Sequence, residues 1–306
     1  MKLVVVGSAA LDTLETPFGK VEDTLGGSAI YFSLAARHFS PVGVVGVVGD
    51  DFPGDHVVML REHGVDTAGL EIEAGRTFRW SGRYDFDMNT AHTLDTQLNV
   101  FAGFKPKLPD SYRQADFLFL GNIDPQLQLD VLRQINRPRF VALDTMNYWI
   151  SSKRDQLTEV IRQVDAVLIN EAEARQYAET YSLLKAARQI LALGPKALIV
   201  KKGEYGCVLF ADGCYFVSPA YPLEEVKDPT GAGDSFAGAF MGYLARGGDL
   251  GEAALRRAIV HGSVVASYTC EEFGVERLKS LDAAAIAERY EAFRRITHFE
   301  DESEAR

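Results

Sequence analysis

Short apolar runs and longer helical patterns alternate along this chain almost from end to end. The runs Leu3–Val6, Val42–Val48, Phe117–Leu120, Phe140–Leu143, Ala166–Ile169, Ala197–Val200 and Cys207–Phe210 are rich in β-branched residues. Those inside the chain are nearly continuous in apolar character, as expected of strands covered on both faces. Between them, apolar residues at helical spacing predict helices over Ile30–Phe39, Leu127–Gln134, Gln156–Gln163, Glu171–Glu179 and Leu183–Leu193. This alternation predicts a three-layer α/β/α core around a mostly parallel central sheet, joined by right-handed crossovers. The last third reads as successive helices, Asp234–Arg246, Glu252–Tyr268 and Ala283–Ile296, followed by an acidic, frayed tail at Glu300–Arg306.

Two stretches break the rhythm. Residues 75–105 alternate polar and apolar positions with period two, as in Thr77-Phe78-Arg79-Trp80 and Tyr84-Asp85-Phe86-Asp87, and carry no helical pattern. Residues 12–25 are extended and turn-rich, with Pro17 and Gly19. Together they predict one small antiparallel sheet. The expected division is a β lid of residues 13–25 and 75–105 on an α/β core of residues 1–12, 26–74 and 106–306. Lying after the first strand and before the middle of the sheet, the lid is expected to cover an active site. Surface excursions without a role would leave the same pattern.

Composition narrows the classes. The chain has 306 residues, 47% of them hydrophobic and 25% charged, which fits a globular protein and excludes a disordered or fibrous one. The net charge of −11 argues against wholesale binding to a nucleic-acid backbone. Cys207, Cys214 and Cys270 form no CxxC pair and are odd in number, so reduced thiols are expected. The N-terminus begins as a strand without a signal-peptide pattern, and no run approaches the roughly 18 apolar residues of a membrane span. A cytoplasmic location is the expectation. The histidines are scattered without metal-ligand spacing, and neither a P-loop nor a dinucleotide-binding glycine fingerprint is present.

The chemistry concentrates in Asp228-Pro229-Thr230-Gly231-Ala232-Gly233-Asp234-Ser235-Phe236-Ala237-Gly238. Pro229 disfavours helix at Asp228, and the glycines permit unusual dihedrals. A helix pattern then starts, with Phe236, Phe240, Tyr243 and Leu244 on one face. A glycine-rich turn opening a helix presents free N–H groups and the positive end of the macrodipole. Such a turn is an anion hole suited to a phosphoryl group in transfer. In the first turn, Asp234 is expected to be kept ionised by the dipole and so able to accept the proton of an attacking alcohol. A capped helix start, with Asp228 or Thr230 as cap, is the plainer alternative.

The whole stretch resembles the C-terminal signature of the ribokinase-like (PfkB) carbohydrate kinase family, from Asp228 through Met241 without a gap. Other segments agree in order. Gly7-Ser8-Ala9-Ala10-Leu11-Asp12 is similar to the family's first strand and hydroxyl-binding aspartate. Gly26-Gly27-Ser28 resembles the diglycine beside the sugar, Asn170-Glu171-Ala172-Glu173 the Asn-Glu-x-Glu motif, and Lys202-Gly203-Glu204-Tyr205-Gly206 the glycine turn near the nucleotide.

The resemblance implies an ATP- and Mg²⁺-dependent kinase acting on a hydroxyl of a sugar or sugar-like molecule. A nucleoside kinase, or a non-catalytic ligand sensor of the same fold, is the alternative. It implies Asp234 as general base, with the backbone N–H groups of Ala232, Gly233 and Asp234, after Gly231, holding the transferred group. Asp12, Gly26, Gly27 and Tyr31 are the implied acceptor residues, with Asn122 and Asp124 as further candidates after the Phe117–Leu120 strand. Asn170, Lys201, Gly203 and Gly206 are implied for the nucleotide, Glu173 for Mg²⁺ through water, and Asp228 and Thr230 for a monovalent cation such as K⁺ in some members. The family includes monomers and lid-mediated homodimers.

Each assignment has a plain counterpart. Asp12 could be a turn residue, Gly26-Gly27 a turn, Glu171 and Glu173 first-turn acids, and Gly203 and Gly206 parts of a hairpin. Two positions depart from the family. Lys201 stands where a threonine is common, and either pairs with phosphates or points to solvent. Tyr31 stands where ribokinase-type members often place asparagine, so it offers stacking or one hydroxyl bond. With Trp80, Tyr84 and Phe86 in the lid, Tyr31 leaves room for an acceptor with a planar ring.

Overall fold

The structure is a computed structural model in which residues 1–211 and 214–298 are described; the Cys214 side chain and the Glu300–Arg306 tail lie outside the described residues. Its strands are β1 (Leu3–Val6), β2 (Ala10–Thr16), β3 (Gly19–Gly26), β4 (Val42–Gly49), β5 (Val65–Glu73), β6 (Arg79–Tyr84), β7 (Ala91–Gln97), β8 (Phe117–Leu120), β9 (Phe140–Leu143), β10 (Ala166–Asn170), β11 (Ala197–Lys201), β12 (Cys207–Ala211) and β13 (Cys214–Ser218). The helices are α1 (Ser28–Ala36), α2 (Gly54–Glu62), α3 (Pro125–Leu132), α4 (Asn147–Ser152), α5 (Arg154–Ile161), α6 (Glu171–Ala178), α7 (Leu183–Leu191), α8 (Ala232–Gly247), α9 (Glu252–Thr269), α10 (Glu276–Ser280) and α11 (Ala283–Thr297).

Among the described residues, nine strands form the main sheet in the order β13-β12-β11-β10-β9-β8-β1-β4-β5. It is parallel from β5 to β11 and turns antiparallel at β12 and β13. Alternate residues of the inner strands enter opposite layers, which is why these strands are apolar at every position. Leu3 and Val5 join a core with α1 and α8, where Phe32 stacks on Phe119 with ring centroids 4.6 Å apart. Val4 and Val6 join the other core, under α3, α5, α6 and α7. The three-layer expectation holds. Because the pairing is parallel, the ends of β1, β8, β9, β10 and β11 deliver their next residues to one edge.

A second sheet, in the order β3-β2-β6-β7, forms the lid. Its central pair corrects the expectation of an antiparallel sheet. β2 and β6 run parallel, with Leu14 opposite Gly82, while the outer pairs are antiparallel. β2 follows β1 and β6 follows β5, and these core strands point the same way, so both lid strands leave the core in one direction. The lid segment also contains a short 3-10 helix, Asn99–Gly103, where no helical pattern was read.

The helices α1 and α8 approach each other closely in the core. A Cβ added at Gly238 would lie 2.2 Å from the Phe32 carbonyl oxygen, so the contact is backbone to backbone and cannot relax by a side-chain rotation. Gly238→Ala is therefore expected to push the helices apart and cost about 1–3 kcal/mol, as overpacking does. Urea unfolding would measure it; an unchanged midpoint would refute this close approach.

Candidate active site

The chain enters α8 through a stapled loop. Asp228 is fully buried; one carboxylate oxygen accepts the Thr230 N–H and the other the Gly274 N–H, each at 2.9 Å. Gly231 then takes φ 74°, a left-handed conformation that favours glycine. Space demands glycine there as well, since a Cβ would lie 2.3 Å from the Tyr31 ring. Tyr31 thus spends its ring face on this turn, and its buried hydroxyl, without a hydrogen-bond partner, is what remains for recognition.

One expected donor is lost. The Ala232 N–H donates to the Pro229 carbonyl at 3.2 Å, because the Gly231 turn folds the chain back on itself. The amides of Gly233 and Asp234 have no acceptor among the described residues and form the anion hole of the helix start.

Asp234 is half-buried beside these amides. Burial first, and repulsion from Asp144 second, push its carboxyl up to about 7, while Lys201 pulls it down. The dipole of α8 favours the ionised carboxylate, and burial acts against it.

Asp144, one residue past β9, was not found from the sequence. One of its oxygens accepts the Thr145 N–H at 2.7 Å and the other the Lys201 ammonium at 2.8 Å. Lys201, at the end of β11, points inward with its side chain 18% exposed. Its Nζ lies 3.1 Å from where a Cβ of Gly233 would be. Burial alone would lower the Lys201 pKa, but Asp144 and Glu173 more than offset this and raise it. Asn170 and Glu173 form a reciprocal capping box on α6: the Asn170 side chain accepts the Glu173 N–H and Glu173 Oε2 accepts the Asn170 N–H, both at 2.8 Å. Burial, and then Asp144, raise the Glu173 carboxyl. Among the described residues, no group of three or more His, Cys, Asp or Glu side chains is arranged to hold a metal ion.

On the other side of Asp234 lies Asp12, 4% exposed. Burial raises it to about 7, opposed by the main chain of Trp80 and Gly27, with Asp228 and Asp234 adding repulsion. Its Oδ1 is buried without a partner. Gly26 and Gly27 make this geometry possible. A Cβ at Gly26 would meet the Asp12 carboxylate at 2.0 Å, and Gly27, at φ 98°, packs on Ser8, where a Cβ would lie 2.5 Å from the carbonyl oxygen. The lid closes over this side through Tyr84, 8% exposed, whose hydroxyl accepts from the Thr230 hydroxyl at 3.3 Å. Trp80, two alternations earlier on β6, lies across Gly82. Phe86 is 91% exposed and lines nothing, which corrects its inclusion. Asn122 and Asp124 are engaged elsewhere: Asn122 accepts the Trp149 indole N–H at 3.1 Å, and Asp124 caps α3 and pairs with Lys153.

Gly203 and Gly206, implied for the nucleotide, shape the turn between β11 and β12, with the Lys202 N–H donating to the Gly206 carbonyl at 2.7 Å. The lid reaches even here, as Asn89 donates to Glu204 at 3.0 Å. Cys207 and Cys270 are free thiols, and among the described residues no helix is long and apolar enough to cross a membrane.

Comparison with known proteins identifies the family. The model of the pfkB family carbohydrate kinases matches residues 2–277. A cytidine kinase of Thermococcus kodakarensis is 33% identical over 258 residues, covering 82% of this chain and 91% of that protein. The ribokinase of Bacillus subtilis is 29% identical over 283 residues, covering 84% and 89%. A structure of a putative ribokinase II from E. coli, in complex with ATP and Mg²⁺, superposes with a TM-score of 0.76 at 19% identity, covering 95% of this chain and 99% of that one. The chain belongs to the pfkB family of carbohydrate kinases and is a phosphotransferase of ribokinase-like fold.

Proposed function

We propose that this kinase transfers a phosphoryl group from ATP to an alcohol of a nucleoside, with cytidine as its acceptor. The observation that carries the reading is the Asp234 carboxylate beside the unpartnered Gly233 and Asp234 amides, with the partnerless Asp12 oxygen on the acceptor side. Asp12 would hold an acceptor hydroxyl. Asp234 takes the proton of the attacking hydroxyl as the bond to phosphorus forms, late enough that a modest base suffices. The two amides meet the charge gathering on the transferred group.

Glu173 Oε1 has no hydrogen-bond partner among the described residues, so it and Asn170 fit a role in the water shell of Mg²⁺. That ion supplies charge neutralisation of the nucleotide phosphates. A nucleoside is preferred here to a free sugar on two grounds. Trp80 and Tyr84 give the lid an aromatic inner row, and a relative named for cytidine matches over most of its length.

An ADP-release assay with cytidine, uridine, adenosine, ribose and myo-inositol tests the acceptor. Cytidine is expected to exceed ribose in kcat/KM by about 100-fold or more, since a site that bonds the base discriminates against its absence. Ribose or inositol as the best acceptor would overturn the nucleoside reading, and tight binding without turnover of any would favour a sensor.

The pH profile follows from the raised carboxyls. Asp12 and Asp234 work ionised, so kcat/KM is expected to fall with an apparent pKa near 7 as the solution is acidified, and not near 4. The stability sign is the reverse. The folded state binds these protons more tightly than the unfolded one, so the two groups weaken the fold as pH rises from about 4 to about 7. Asp234→Asn is expected to raise Tm at about pH 8, by progressively less as the pH falls and not at all by about pH 3, and to cut phosphoryl transfer by about 100-fold or more. Retention of most of kcat would refute Asp234 as base.

A further inference from the structure

Lys201 and Asp144 form an ion pair that the core does not need. They lie at the ends of β11 and β9, past the last apolar residues of those strands, where they join no hydrophobic layer. Asp144 is nevertheless held firmly. Its Oδ1 accepts the Thr145 N–H at 2.7 Å, and its own carbonyl accepts the Gln128 amide at 3.1 Å. The same Gln128 amide holds the Gly121 carbonyl at 2.9 Å, so the chain ends after β8 and β9 are tied together beneath the pair. With Oδ1 committed, Oδ2 faces the Lys201 ammonium at 2.8 Å. This fixes the ammonium against the first turn of α8, 3.1 Å from the position of a Gly233 Cβ and next to the unpartnered amides. A flexible lysine would otherwise lose much rotamer freedom to stay there.

We propose that Lys201 is a fixed positive contact for the terminal phosphate of the nucleotide, and that Asp144 is the positioning residue that holds its ammonium at the anion hole. The inference rests on the ATP-dependent reading above and adds to it. The two main-chain N–H groups carry only partial charge, whereas an ammonium brings a full one to the oxygens where charge is shared in transfer. Asp144 touches neither reactant and acts through Lys201. A lysine released from it would be drawn to Glu173 or Asp234, both of which already interact with it electrostatically. In that position it would disable the base it should stand beside.

The test compares Lys201→Met, Asp144→Asn and the double variant at about pH 8.5, where Asp234 is ionised. Titration with a non-hydrolysable ATP analogue and with ADP gives a readout apart from activity. Lys201→Met is expected to weaken the analogue about tenfold while leaving ADP nearly unchanged, and to lower kcat about 100-fold with little effect on the acceptor KM. Asp144→Asn is expected to do the same in smaller measure, and to add nothing in the Lys201→Met background, because its effect passes through the lysine. Equal losses for both nucleotides, or additive effects in the double variant, would overturn the proposal. Thermal unfolding of each variant identifies any that has lost its fold, and Lys201→Gln then replaces Lys201→Met in the same comparison. Wild-type protein that bound neither nucleotide would remove the ATP reading as well. Wild-type binding without discrimination by the variants would remove only this inference.

Discussion

One ammonium serves three carboxylates at the end of the parallel strands. Asp144, Glu173 and Asp234 all interact with Lys201, and burial raises the carboxyls of Glu173 and Asp234. The constraint originates in the sheet. Parallel strands must all finish on the same edge, so whatever polar residue follows each apolar run arrives in the same crowded, partly dry space. There, repulsion between acids and loss of water act together, and proton affinity rises. The buried carboxyls of Asp12, Glu173 and Asp234 weaken the fold wherever they are ionised, as expected where chemistry and stability compete.

The entry to α8 depends on a matched pair of residues. Gly231 can turn left-handed only because it lacks a side chain, and the space so left is filled by the Tyr31 ring. Asp228 ties the same loop to the segment after α9 through Gly274. The free amides beyond the turn follow from this arrangement. A helix that began one residue earlier would direct the Asp234 N–H into the Thr230 carbonyl and leave only the Gly233 N–H free at that point.

The sequence read most clearly where burial is complete. Phe117–Leu120 and Phe140–Leu143 are strands to the residue, since every position faces a core. Val65–Glu73 was missed because it is an edge strand whose outward positions include Asp66 and Ala68. Gly54–Glu62 was missed because Leu60 alone of its residues is buried. The parallel pairing of β2 with β6 depends on where those strands leave the core, which no local pattern records. In the site, Asp12, Gly231 and Asp234 sit in stretches with a recognisable order. Asp144 does not. The one available signal was an acid directly after a fully apolar run, as Asn170 and Lys201 directly follow theirs, and it gains meaning only once the strands lie side by side.

Asp12 belongs to β2, a strand of the lid and not of the main sheet. On the proposed reading, the acceptor's anchor and the base therefore sit on different parts of the fold: a lid that flexed would carry Asp12 with it and leave Asp234 in the helix layer. Capture of the alcohol and its alignment with the base would then be one mechanical event, and an acceptor too small to draw the lid down would leave the two carboxylates apart.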